Sequence, residues 1–313
     1  MERNRAFDIM KGVGILSVIL GHMDIEPYWR NVIYSFHMPL FFILAGYFFR
    51  SRYTIAEEAR KDTRRLCSPY VLTMGVLFLY IVSIHGLLLR DNYLQGGTFL
   101  LPLIFPTGAY GALFAVPLWF LLALFWTKQL YNLVQNKSGG VIFCIFLSLL
   151  AYVGSRFVEL PFALFQGMIG LLFFIIGVWA KKGVSKRWIY LFILCWALVM
   201  GLNAFGFEIS SIDMMHNNYR FLPLDVIVAC GGTAAVYGVS TVLDRKTNYT
   251  ARLLAWFGRF SIVILCAHTI ERFIPLWNAF HITNLGLLFI GSFDLFAYTI
   301  YKKSLSVSIS YTI

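Results

Sequence analysis

Apolar runs separated by short polar joints make up almost the whole of this chain. A bilayer core about 30 Å thick is crossed by about 20 mostly apolar helical residues. Reading by that length gives ten candidate spans: 7–23, 32–49, 69–89, 113–134, 140–155, 162–180, 188–206, 222–243, 254–272 and 284–301. The fifth is short. The run 99–106 is apolar but too short to span, and fits an interfacial or re-entrant piece. The joint "RSRYTIAEEARKDTRRLCSPY" (50–70) has periodic apolar and charged positions and reads as a surface helix. The tail "SLSVSISYTI" alternates like a strand and receives no role. No internal repeat and no long linker divides the chain. The expected fold class is an all-α polytopic membrane protein of about ten transmembrane helices. It forms one transmembrane domain over residues 1–303, followed by the tail 304–313.

Composition agrees with the pattern. Hydrophobic residues make up 59% of the 313 and charged residues only 13%, where soluble domains carry about 25%. With a mean hydropathy of +0.73, a water-soluble fold of this length has no way to hide its apolar surface. The first run has no small-residue cleavage site behind it, so it reads as a retained helix rather than a signal peptide.

A net charge of +11 by itself suggests nucleic acid. The placement of the charges says otherwise. With a cytoplasmic N-terminus, twenty of the 26 Lys and Arg fall in inner segments. Five (Arg30, Arg90, Arg156, Arg220, Arg272) fall in outer ones, and Arg259 lies within a span. That bias alternates at every joint, which is the signature of membrane orientation. It sets the N-terminus inside and removes the nucleic-acid reading. The five cysteines stand singly, without paired spacing, and read as small hydrophobes rather than a disulfide framework or metal site.

A few polar residues need a reason. In "FDIMKGVGILSVILGHMD" (7–24), Lys11 and His22 stand at opposite ends of one apolar helix, roughly 16 Å apart by helix rise. His37 enters the second helix on the same outer face as His22, with Asp24 and Glu26 in the turn between. Two histidines and two carboxylates near one membrane surface suit a general base with an orienting acid. Neither HxxxH nor HExxH spacing occurs, so no metal is expected. On the inner side Asp8 and Lys11 can pair at i, i+3. The cluster Arg60, Lys61, Arg64, Arg65 is denser than topology requires. It suits either a phosphate-bearing cytosolic ligand or anionic lipid headgroups. Trp119 lies near the outer end of the fourth span, His268 toward the outside of the ninth, and Arg259 deep in the ninth span's inner half. An intramembrane charge is a functional candidate. The outer loop "FEISSIDMMHNNYR" (207–220) is polar and available to an external substrate.

Together these residues resemble the acyltransferase 3 family of bacterial integral membrane acyltransferases, which O-acylate cell-envelope carbohydrates. Lys11 to His22 is similar to the family's first-helix pattern of a basic residue, ten residues and a histidine. "FHMPLFFILAGYFF", with His37, resembles its second-helix motif. "RKDTRRLCSPY" resembles the basic motif before the third helix, with Arg64 and Arg65 at the arginine positions. "LWFLLALF" resembles the fourth-helix signature around Trp119. The basic residue here is Lys11 where arginine is common, and no esterase-like domain is expected after the last span.

With Asp24 as the candidate orienting acid from its place in the turn, the resemblance implies catalytic roles for His22 and His37. Arg60 joins the donor candidates from the basic cluster and His268 the substrate candidates from its place in the ninth span; the resemblance itself implies donor contacts from Lys11, Arg64 and Arg65 and a substrate contact from Trp119. It implies acyl-CoA as donor substrate, acetyl-CoA being the expected form and succinyl the other candidate, with no permanently bound cofactor. The acceptor would be an extracytoplasmic envelope carbohydrate and the setting the bacterial cytoplasmic (inner) membrane; a homo-oligomer stays open. The competing readings are a transporter or exporter of a glycan or small metabolite, and a structural partner in an envelope complex. A carrier is expected to show two related halves, which the sequence does not display.

Overall fold

The computed structural model describes residues 4–50, 54–83, 100–107, 117–246 and 248–271. The tenth expected span and the tail lie outside them, as do parts of the third and fourth. The described residues form thirteen α-helices: α1 (Arg5–Gly21), α2 (Pro27–Tyr34), α3 (His37–Phe48), α4 (Ile55–Asp62), α5 (Ser68–Ile81), α6 (Leu100–Ile104), α7 (Trp119–Val134), α8 (Gly140–Gly154), α9 (Leu164–Ala180), α10 (Lys186–Ala204), α11 (Leu222–Lys246), α12 (Tyr249–Arg259) and α13 (Ser261–Glu271). A π-turn (Thr63–Cys67) joins α4 to α5. The all-α expectation needs one amendment. Within the loop 205–221, β1 (Ile212–Asp213) and β2 (Asn218–Tyr219) form a small antiparallel hairpin, Ile212 opposite Tyr219.

Among the described residues, four helical stretches are long and apolar enough to cross a membrane: Pro27–Phe48, Pro161–Ala180, Lys186–Ala204 and Leu222–Lys246. The expected span 32–49 is thus α2 and α3 joined across Ser35 and Phe36. The fifth expected span is α8, an apolar helix of 15 residues, short of the length that crosses a bilayer unaided. The ninth expected span is not one helix. It breaks at Phe260, and α12 and α13 meet at 76°. The break leaves Arg259 at a helix end, where its guanidinium reaches Asp8 at 3.5 Å. A continuous helix would have held that charge in mid-span.

Local signals explain several starts. Asn4 accepts from the Ala6 N–H and caps α1. Thr54 and Glu57 form a reciprocal capping box on α4, which confirms a helix inside the joint 50–70. Asn248 caps α12 through the Ala251 N–H.

Packing centres on α1, α3 and α9. α1 lies most extensively along α12, and α3 along α9. Both crossings depend on glycine. A Cβ on Gly12 would sit 2.0 Å from the Leu254 carbonyl oxygen, and one on Gly258 would sit 1.8 Å from that of Asp8. Gly46 and Gly177 stand in the same reciprocal relation to Phe174 and Ile43. Small residues that let backbones touch are how helices associate where burial from water gives no drive. The main apolar core runs from Ile15, Val18 and Ile19 of α1 through Phe42, Met74, Leu77, Leu121 and Phe173.

Candidate active site

α1 runs unbroken from Arg5 to Gly21 and His22 caps it. Lys11 and His22 are therefore held about 16 Å apart along one axis. Each faces a different cavity.

The first cavity is basic and holds about 620 Å³, within the range of small-molecule sites. Among the described residues six basic side chains line it: Lys11, Arg50, Lys61, Arg65, Lys128 and Arg259. Ile15, Val18, Met38, Phe41, Phe120 and Leu124 give it apolar walls. Two carboxylates also line it, Glu58 and Asp62, both almost fully buried. Lys61 Nζ donates to Glu58 at 2.6 Å, and Lys128 lies 3.2 Å from Glu58 and pairs directly with Asp62. Gln129 Nε2 donates to Asp62 at 2.9 Å. Burial pushes the Glu58 carboxyl up, but the two lysines outweigh it and hold it below the usual range. The network thus fixes two lysines in the wall. Asp8, on the buried side of α1, does the same for Lys11 (4.0 Å) and Arg259.

The second cavity is smaller, about 190 Å³, and carries the histidines. His22, Tyr34, His37, Met38, Pro117 and Trp119 line one side, and Ile212, Asp213, Met214, Met215 and His216 of the hairpin line the other. Met38 walls both cavities. So do neighbouring residues of two helices: Val18 and His22 on α1, Phe120 and Trp119 on α7.

The histidine tautomers follow from their partners. His22 Nδ1 lies 2.7 Å from the Val18 carbonyl and His37 Nδ1 lies 2.9 Å from that of Ile33. A carbonyl only accepts, so each Nδ1 carries the hydrogen and each neutral ring keeps its lone pair on Nε2. The hairpin is held over this cavity from several directions. Gln166 Nε2 donates to the Met215 carbonyl at 2.8 Å, and Asn31 and Asn203 both donate to the Ser210 carbonyl.

The residues expected from sequence divide among these places. Lys11 and Arg65 line the basic cavity. Arg60, Arg64 and Arg65, with Lys61 and Glu57, line a surface hollow on α4 and the π-turn, so Arg65 belongs to both. His22, His37 and Trp119 come together in the histidine cavity. Asp24 is exposed in the turn after α1 and is not among the lining side chains. The carboxylate in that lining is Asp213. His268 is buried in α13 with its ring 5.6 Å from that of His22. Its Nδ1 lies 3.9 Å from Glu271 Oε2. It stands beside His22, outside the lining of either cavity.

The sequence did not point to Asp213, His216, Lys128, Glu58 or Asp62. For the first two the polar loop 207–220 was a signal without a position. For Glu58 and Asp62 the only trace was the acidic content of α4, and Lys128 was one basic residue among many. Among the described residues no group of three metal-ligating side chains converges.

The described residues combine apolar helices long enough to span, as in a membrane protein, with two cavities that differ sharply in charge. The model of the acyltransferase domain characteristic of the acyltransferase 3 family matches residues 4–300, so the chain belongs to that family and is a membrane acyltransferase. Comparison with curated proteins and with solved structures gives no match.

Proposed function

We propose that the protein transfers an acyl group, acetyl before others, from cytosolic acyl-CoA to a hydroxyl of an extracytoplasmic envelope carbohydrate at the bacterial inner membrane. One observation carries this reading. A single helix lines a basic cavity at Lys11 and a histidine cavity at His22, and one side chain, Met38, walls both.

The chemistry follows the geometry. CoA is a polyanion with a long thioester arm. Lys11, Lys61, Arg65 and Lys128 suit its phosphates, since charge-assisted contacts are the strong ones. The apolar wall of Ile15, Val18, Phe41 and Phe120 suits the arm. His22 stands where the arm would end, and its Nε2 lone pair suits attack on the thioester carbonyl or removal of the acceptor proton. The loop charges support the orientation, with the basic cavity toward the cytosol.

The test is direct. Purified protein is assayed for label transfer from acetyl-CoA, with His22→Ala alongside. We expect at least a hundredfold lower turnover at unchanged folding. Wild-type rates in the variant would refute the role of His22. A thermal shift with acetyl-CoA is expected of this enzyme and not of a glycan carrier.

A further inference from the structure

The hairpin loop holds a second acid–base pair that the family motifs do not contain. His216 Nδ1 lies 2.7 Å from Asp213 Oδ2. The same aspartate accepts the Met215 and His216 N–H groups through Oδ1, at 3.1 and 3.3 Å. The turn therefore fixes the carboxylate, and the carboxylate fixes the ring. Both side chains line the cavity that His22 lines. His216 is half-exposed, so it also has a route to water.

We infer that Asp213 and His216 form the acceptor-side base of the reaction, leaving His22 to the donor side. The inference rests on the acyl-transfer reading above. The backing of the ring supports it. His216 is held by a carboxylate that stabilises its imidazolium as it takes the acceptor's proton. The bond to Asp213 raises the His216 pKa above the ordinary 6.5, outweighing burial, with help from the charges of Asp213 and Glu159. Burial works against the Asp213 carboxyl, but its bond to His216 and the two N–H groups more than offset this and hold it below the usual range. The other titratable groups facing His216 across the cavity are His22, His37 and Tyr34.

The steps balance. His22 Nε2 bonds to the acyl carbon, the carbon–sulfur bond breaks, and the thiolate takes a proton from water. The acceptor oxygen then bonds to the acyl carbon while its proton passes to His216 Nε2. The carbon–nitrogen bond to His22 breaks, and His216 gives its proton to water. A hydroxyl oxygen is a weak nucleophile until a base takes its proton; hydroxylamine, neutral at the working pH, attacks first and loses its proton afterwards.

That difference supplies the test. CoA release from acetyl-CoA is followed above the enzyme-free background, with water as the nucleophile and then with hydroxylamine. His216→Asn and Asp213→Asn are compared with wild type; Asn at 213 can still accept the turn's N–H groups. We expect His216→Asn to slow the water reaction at least tenfold and to keep the hydroxylamine reaction within twofold. In wild type the water reaction rises with pH through an apparent pKa above 6.5, because the base must be neutral. Asp213→Asn moves that limb to lower pH. Equal loss of both reactions in His216→Asn, or an unchanged water reaction, overturns the dyad. A wild-type protein that releases no CoA with either nucleophile overturns the acyl-transfer reading itself.

Discussion

Lys128 shows how partners decide what a side chain does. In the sequence it counts as one of many basic residues at a helix end. In the fold, Glu58 and Asp62 grip it in the wall of the basic cavity, and it becomes a prepositioned cation. Arg65 is a different case, exposed and without an ion pair among the described residues. Its guanidinium is therefore available to an incoming phosphate. We expect Arg65→Ala to raise the KM for acetyl-CoA about tenfold with kcat little changed, because a charge-assisted hydrogen bond contributes about 1.5–3 kcal/mol. Steady-state kinetics over a donor series check it. The same scale explains what was legible. Lys11 and His22 were, because one helix holds both. The carboxylate that lines the histidine cavity was not. Asp24 is close to His22 in sequence, yet the turn carries it into solvent, while a hairpin far along the chain brings Asp213 to the cavity.

At the scale of elements, apolar length located most of the helices, but packing set their breaks. The 76° bend at Phe260 has no proline behind it. It leaves Arg259 to Asp8 and lets Gly258 press on α1, and neither contact is visible to a hydropathy reading. The hairpin was equally hidden, since strands of two residues give no alternation to detect. The α1–α12 crossing makes a sharp prediction. Gly258→Ala forces the two backbones apart, and overpacking of this kind costs about 1–3 kcal/mol. A lower melting temperature is expected. Gly75→Ala is the control, because among the described residues no atom outside its own stretch of helix lies within 4 Å of the added carbon. That variant should melt no lower than wild type, alanine being the better helix former.

For the whole molecule, the two cavities matter through the wall between them. Met38 is an unbranched side chain with several rotatable bonds, suited to moving aside. Met38→Trp is expected to abolish transfer while the acetyl-CoA thermal shift survives, because the basic cavity keeps its cations. Met38→Leu, close in volume, is expected to retain activity. A Met38→Trp protein that transfers at the wild-type rate would show that the arm takes another path.

The reciprocal contacts of Gly12 and Gly258 have a consequence beyond stability. With each glycine seated against the other helix's backbone, α1 has no freedom to slide by a turn, about 5.4 Å, without driving main chain into main chain. The crossing is a mechanical stop: it pins α1, and with it both Lys11 and His22, against α12 and Arg259. On the acyl-CoA reading, the enzyme then chooses its donor by arm length. A thioester whose handle is too short falls short of His22, on a helix that two glycines hold in place without touching the donor.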